Sequence, residues 1–206
     1  MKILVLFNGG LKDAFLADLA RREGKVLACF FILNDKDSNR IRLVERLAVA
    51  LQIELLVIDL RKAPPLEEIL LRMLYLIMHA LPIAKEYQCH CIYYGLSIDD
   101  DRRLSKILDA YMKQLRPLIE LAQPMYDGKG IWLGQVEVET PLRRLDRPRV
   151  IRLGNEWNLP WELSFSCVNR TTIHCGTCQA CLRRQRAFKQ EGHIDPTAYW
   201  RDDNVL

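Results

Sequence analysis

The chain opens Met1-Lys2-Ile3-Leu4-Val5-Leu6-Phe7-Asn8-Gly9-Gly10-Leu11-Lys12-Asp13-Ala14, and the fold turns on this stretch. Residues 3–7 form an unbroken apolar run, the pattern of a strand buried on both faces. Asn8-Gly9-Gly10 ends the run as a turn. Beyond it Leu11, Ala14, Phe15 and Leu19 recur at helical spacing to about residue 23. A strand, a glycine turn and a helix in that order are where α/β proteins bind phosphate. The free N–H groups and positive dipole end of the helix attract an anion, and glycines let it approach the backbone. Neither the dinucleotide fingerprint G-x-G-x-x-G nor the Walker pattern is present, so the turn alone names no ligand.

Outward from this unit the same alternation continues. Residues 26–33, 53–60 and 91–94 read as further apolar strands, with Cys29 in the core, and residues 133–138 as a fifth. Helical periods cover residues 41–51, 66–84, 102–122 (where Pro117 is expected to kink or divide the helix), 146–157 with Asp146 as N-cap, and 179–191. Residues 34–39 read as a polar loop and 125–131 as a glycine-bearing one. Buried strands separated by helices of ten or more residues predict an α/β fold. The expected architecture is a doubly wound, mostly parallel five-stranded sheet with helices on both faces, plus a small C-terminal helical cap, zinc-bound on the reading of the closely spaced Cys167, Cys175, Cys178 and Cys181. The predicted boundary divides a nucleotide-binding body, residues 1–159, from a zinc-binding segment, residues 160–206.

Composition narrows the class. Two hundred and six residues, half of them apolar, suffice for one domain with a core and exclude a disordered chain or a disulfide miniprotein. Thirty basic and twenty-six acidic side chains leave +4, too mild to mark a nucleic-acid binder. The most apolar stretch, residues 66–84, carries Glu67, Glu68, Arg72 and Pro82, so it reads as a buried helix or a homodimer face and not as a membrane span. The N-terminal apolar run is too short for a signal peptide, and a cytoplasmic location is expected.

Four of the seven cysteines fall within fifteen residues: Cys167, Cys175, Cys178 and Cys181. An odd total with C-x2-C spacing points to metal in a reducing compartment and not to disulfides. Four thiolates complete a tetrahedron around zinc and leave no open position, so the ion is structural; an iron–sulfur cluster is the competing reading, and His174 a possible replacement ligand. Gly176 suits the sharp knuckle. Cys89 and Cys91 are expected on one face of a strand start with His90 opposite, as packed thiols. Asp99, Asp100 and Asp101 follow the fourth strand; Asp101 reads as a helix cap and Asp100 as a magnesium candidate.

Together these features resemble the 7-cyano-7-deazaguanine synthases of the pyrophosphatase-loop (N-type ATP pyrophosphatase) superfamily. The resemblance rests on Pro141-Leu142-Arg143-Arg144-Leu145-Asp146 through Ile151-Arg152-Leu153-Gly154, on Pro160-Trp161-Glu162-Leu163-Ser164-Phe165-Ser166-Cys167, and on Cys175-Gly176-Thr177-Cys178-Gln179-Ala180-Cys181-Leu182-Arg183-Arg184. It implies a zinc-bound homodimer that converts 7-carboxy-7-deazaguanine, a deazapurine acid, to the nitrile with ammonia and ATP–magnesium, releasing AMP and pyrophosphate. By that resemblance the phosphates would lie on Asn8, Gly9, Gly10 and Leu11. Adenine would lie near Phe7, Phe31 and Leu33, with Gly95 alongside. Asn8, Lys12, Asp13 and Arg147 would supply the charged chemistry, Arg147 standing where the family has a lysine. The loop departs from the family's Ser-Gly-Gly-x-Asp-Ser: Asn8 replaces the first serine, Lys12 the aspartate and Asp13 the last serine. Asp13 is then the residue expected to take over the magnesium contact. These departures keep a second reading alive, a re-purposed relative that binds a nucleotide, a deazapurine or a partner without nitrile synthesis. A third, a nucleic-acid module on the zinc knuckle with Arg183, Arg184, Arg186 and Lys189, ranks last.

Overall fold

The computed structural model describes residues 1–62, 68–100, 104–123 and 134–200, with the side chains of residues 104–106 excepted. The first strand β1 (Lys2–Leu6), helix α1 (Leu11–Glu23) and strand β2 (Lys25–Ile32) confirm the opening unit. A one-turn helix α2 (Asp35–Ser38) occupies what reads as a polar loop, because the Asn34 side chain caps it by accepting from the Asp37 N–H at 3.2 Å. Then come α3 (Ile41–Ala50), β3 (Glu54–Asp59), α4 (Ile69–Glu86), β4 (Cys91–Tyr93) and α5 (Leu104–Leu121). After β5 (Glu137–Glu139) come the 3-10 turn Pro141–Arg144, α6 (Arg147–Glu156), the 3-10 turn Trp161–Leu163 and α7 (Gln179–Gln190).

Among the described residues the sheet has five strands in the order β3-β2-β1-β4-β5, and every pairing is parallel. One face packs Ile3, Val5, Ala28, Phe30 and Tyr93 against α1, α3, α6 and α7; the other packs Leu4, Leu6, Leu27, Cys29 and Ile92 against α4 and α5. Alternate residues of each strand thus serve opposite cores, which is why the strands read as continuous apolar runs. The first core includes Trp161, Ala187 and Phe188 beside Phe15 and Leu47, so residues on both sides of position 159 share it.

Several expectations are corrected. Pro117 lies inside α5 without dividing it, while Pro82 lies inside α4, within the single helix expected there. The fifth strand is three residues, not six; the start of the predicted span, the glycine-bearing loop and Asp101 lie outside the described residues. Cys91 faces the α1 core, but Cys89 turns into the opposite core because its N–H continues from α4 to the Ala84 carbonyl (2.7 Å) before β4 begins. Among the described residues no helix is long and apolar enough to cross a membrane.

The topology itself locates a crevice. From β1 the chain winds one way through β2 and β3, then returns to the other side of β1 for β4 and β5. At such a switch the connections leaving the two adjacent carboxyl ends diverge and leave a cleft between them. Here those connections are residues 7–10 after β1 and 94–100 after β4.

Candidate active site and metal centre

Gly9 sits at φ +75°, where a side chain is strained, and a Cβ there would meet Val44 Cγ2 at 3.0 Å. Gly10 is the N-cap of α1. Having no side chain, it cannot cap the helix itself, and Asp13 supplies the anion instead. The Asp13 carboxylate accepts from the Gly10 N–H (3.3 Å) and the Asn8 N–H (3.1 Å). Gly95 closes over the other carboxylate oxygen: a Cβ on Gly95 would lie 2.8 Å from Asp13 Oδ1. Enclosure opposes ionisation and raises Asp13 to about 6, against the pull of Lys12 and of the two amides.

The connection after β4 meets this turn with two more carboxylates. Lys12 Nζ pairs with Asp100 and reaches Ser97 Oγ at 3.2 Å. Arg147, the first residue of α6, holds Asp99 at 2.5 Å and Asp100 at 3.1 Å. Burial opposes the charge on Asp100, but Lys12, the Ser97 amide and Arg147 outweigh it and hold this carboxyl below its usual range. With its oxygens engaged by Lys12 and Arg147, Asp100 stands here as an ion-pair partner. Its neighbour Asp99 also accepts from the Arg147 backbone N–H at 3.3 Å, at the start of α6.

The remaining expected residues surround the turn. Phe7 is buried, and its N–H donates to the Cys29 carbonyl (2.9 Å), extending the β1–β2 pairing by one residue. Leu11 is buried in the α1 core; Phe31 and Leu33, at the end of β2, pack in the α4–α5 core. Asn8 is exposed at the rim. One residue that sequence reasoning missed is Arg40, which precedes α3. Its Nη2 donates to the Phe165 carbonyl (3.2 Å) and the Asn8 carbonyl (3.4 Å), and its buried Nε has no partner among the described residues. Burial lowers its affinity for a proton, against the attraction of Asp37 and Asp13. Nothing in a polar run after a strand distinguishes such an arginine; only the tertiary approach of residues 164–167 does.

Those residues carry the cysteine segment onto the turn, where the Phe165 N–H donates to the Gly9 carbonyl at 2.7 Å. The sulfurs of Cys167, Cys175, Cys178 and Cys181 all lie within 4.8 Å of one another, with Cys167–Cys178 and Cys175–Cys181 at 4.0 Å. Metal–sulfur bonds of about 2.3 Å in a tetrahedron require sulfur separations of about 3.8 Å, so the four thiolates fit one four-coordinate ion. Backbone N–H groups already point at the sulfurs, from Arg170 and Cys175 to Cys167 and from Cys178 to Cys175 at 3.2–3.4 Å. Burial would raise the Cys175 thiol, but hydrogen bonds from Thr177 and Cys178 outweigh it and bring it to about 6, toward the thiolate a metal needs. His174 is not a ligand: its Nε2 accepts from the Ser166 N–H at 2.9 Å, and burial keeps the ring neutral, near 4.

The Arg184 of the C-x2-C-x2-R pattern is also a correction. It is 1% exposed and donates to Asp195 (2.8 Å), Ser164 Oγ (2.7 Å) and the Trp161 carbonyl (2.8 Å). It fastens α7 to the cysteine segment and is removed from any basic face.

A parallel sheet with a glycine turn and paired charges at its switch point, and a four-cysteine centre against that turn, define the fold class of the pyrophosphatase-loop ATP-using enzymes. A U34-tRNA thiolase, NcsA, from Methanococcus maripaludis, solved with its [4Fe-4S] cluster, has the same fold; the superposition covers 93% of this chain and 67% of that one at TM-score 0.54 and 14% identity. Within the class the chain belongs to the QueC family, whose model, described as queuosine biosynthesis protein QueC, matches residues 61–192. Among its relatives, 7-cyano-7-deazaguanine synthase 1 of Sulfurisphaera tokodaii is 30% identical, covering 97% of this chain and 98% of that one. The 7-cyano-7-deazaguanine synthase of Methanothrix thermoacetophila is 26% identical over 96% of this chain and 98% of its own length.

Proposed function

We propose that this chain is an ATP-dependent enzyme that adenylates the carboxylate of a 7-deazaguanine-type acid and delivers ammonia to it, ending in the nitrile. The observation that carries this reading is the placement of the Asn8–Asp13 turn, Lys12 and Arg147 together at the sheet's switch point, in a chain related along almost its whole length to 7-cyano-7-deazaguanine synthases. In this reading the substrate carboxylate attacks the α-phosphorus of ATP and pyrophosphate leaves. Ammonia then displaces AMP to give an amide; the amide oxygen attacks a second ATP with release of a second pyrophosphate, and departure of AMP with loss of both amide N–H protons leaves the nitrile. The turn amides, Lys12 and Arg147 face negative charge that grows on the departing pyrophosphate, the role in which fixed donors lower a barrier most. Magnesium would accompany the nucleotide.

Zinc is the metal we assign to Cys167, Cys175, Cys178 and Cys181; it would hold residues 165–181 and so the outer wall of the turn. A homodimer through the apolar α4 region and a cytoplasmic location belong to the same reading. The loop substitutions favour one alternative: with Lys12 and Arg147 already neutralised by Asp99 and Asp100, the chain would bind nucleotide or deazapurine without making nitrile. Both are tested by following pyrophosphate release and product mass on metal-replete protein with ATP, magnesium, ammonium and 7-carboxy-7-deazaguanine. Nitrile with stoichiometric pyrophosphate supports the enzyme; bound nucleotide with neither product supports the alternative.

A further inference from the structure

The position a phosphate would take at the turn is filled by the protein's own carboxylate. Asp13 accepts the N–H of the N-cap Gly10 and that of Asn8 in the loop before it, so the amide donors at the mouth of this helix, where an incoming anion is favoured, are already engaged. We propose that Asp13 is a built-in competitor for the phosphate position, and that a nucleotide phosphate enters by displacing its carboxylate, which takes up one proton from solvent as it leaves the two amides. This deepens the nucleotide-binding reading above and rests on it.

The surroundings favour displacement with protonation. From α1, Lys12 is committed to Asp100 and gives Asp13 only a through-space attraction. From the connection after β4, the Asp100 charge and the half-buried Tyr94 face it. From α3, Arg40 attracts it but is turned to the Asn8 and Phe165 carbonyls. From α6, Arg147 is spent on Asp99 and Asp100. Among the described residues no cation is hydrogen-bonded to the Asp13 carboxylate, so an arriving phosphate adds repulsion that a proton relieves. Enclosure holds Asp13 at about 6, and a displaced carboxyl that stays inside the cleft beside a phosphate keeps that burial. A magnesium-ligand role for Asp13 predicts the opposite sign: its carboxylate would then be required charged, and affinity would fall with acid.

The test is calorimetric titration of the metal-replete chain with ATP–magnesium across pH, in buffers of differing ionisation enthalpy, for wild type, Asp13→Ser and Asp13→Asn. ATP's own protonation is common to all three and cancels in their ratios. Asp13→Ser is expected to bind within about threefold of wild type near pH 5.5 and about tenfold or more tighter near pH 8, since linkage gives up to one decade per pH unit above the free carboxyl's titration. Wild type takes up about one more proton than either variant near pH 7.5. Asp13→Asn keeps an acceptor for both amides, so it preserves the turn even where Ser loosens it, and its affinity relative to wild type drifts with pH in the same direction. Weaker binding by Asp13→Ser near pH 8, or equal proton uptake by wild type and both variants, overturns the proposal alone. If no protein in the series binds at any pH, the nucleotide-binding reading fails and takes this one with it.

Discussion

Gly154 shows how a single position in the Leu153-Gly154 motif earns its identity. A Cβ there would stand 2.1 Å from Trp161 Cζ2 and 2.9 Å from Leu159 Cδ1, so the glycine lets the Trp161 ring pack directly against the α6 backbone. That ring also donates its Nε1–H to Asn155 Oδ1 at 2.8 Å and meets Phe188 edge-on. Gly154→Ala is expected to cost about 1–3 kcal/mol through overpacking, lowering the melting temperature by roughly 2–4 °C per kcal/mol for a chain this size. Thermal melts of the two proteins check it. In the sequence this glycine is visible only as part of a motif; the reason for it lies in a tryptophan seven residues later that folds back onto the helix. Asp13 is similar. Its place at the third position of α1 is legible from the helical period, but its grip on two loop amides needs the turn's shape, which Gly9 sets.

At the scale of elements, β1 and β2 were readable because their residues are buried on both faces, β3 from its apolar run, and α1, α3 and α4 from an apolar stripe, whereas the four residues of α2 bury nothing and read as loop. The three-residue β4 and β5 were harder, since so short a run has little period. The cysteine segment was legible from spacing alone, while its partners were not: Arg184, Asp195 and Ser164 are separated in sequence and meet only in the fold. Arg184→Met leaves Asp195 buried without its cation, a loss of about 3–5 kcal/mol. The double variant Arg184→Met with Asp195→Asn is expected to recover part of that loss, which denaturant midpoints would measure. Removal of the metal acts on the same element. With the thiolates released, residues 165–167 lose their anchor and with them the Phe165–Gly9 bond on the back of the turn. Chelation is therefore expected to lower both the melting temperature and ATP affinity, and metal restored to the stripped protein to return both. An unchanged affinity in metal-free, still-folded protein would separate the cysteine centre from the turn.

For the whole molecule, the strand order makes one place different from all others. Because β1 is flanked by β2 on one side and β4 on the other, the turns after β1 and β4 part at the sheet's carboxyl edge. Into that gap the chain brings Asp13, Lys12, Ser97, Asp99, Asp100 and, from α6, Arg147. Sequence reading found the turn, Arg147 and the run of aspartates separately. It could not find their pairing, since Lys12 and Asp100 are 88 positions apart and nothing local links them.

The measurement closest to the central claim is equilibrium binding of ATP–magnesium to wild type and Gly10→Val, with metal content and melting temperature matched. Gly10 has φ −75°, open to any residue, and its Cβ would point at Asp13 Oδ2 (3.4 Å) and the Phe165 carbonyl (3.9 Å). The backbone and a Cβ therefore fit there, and the methyl groups of valine would extend into the space before the amides. Wild type is predicted to bind and the variant to lose about tenfold or more, the equivalent of about 1.4 kcal/mol. Equal affinity in two equally folded proteins would place the nucleotide elsewhere and contradict the account.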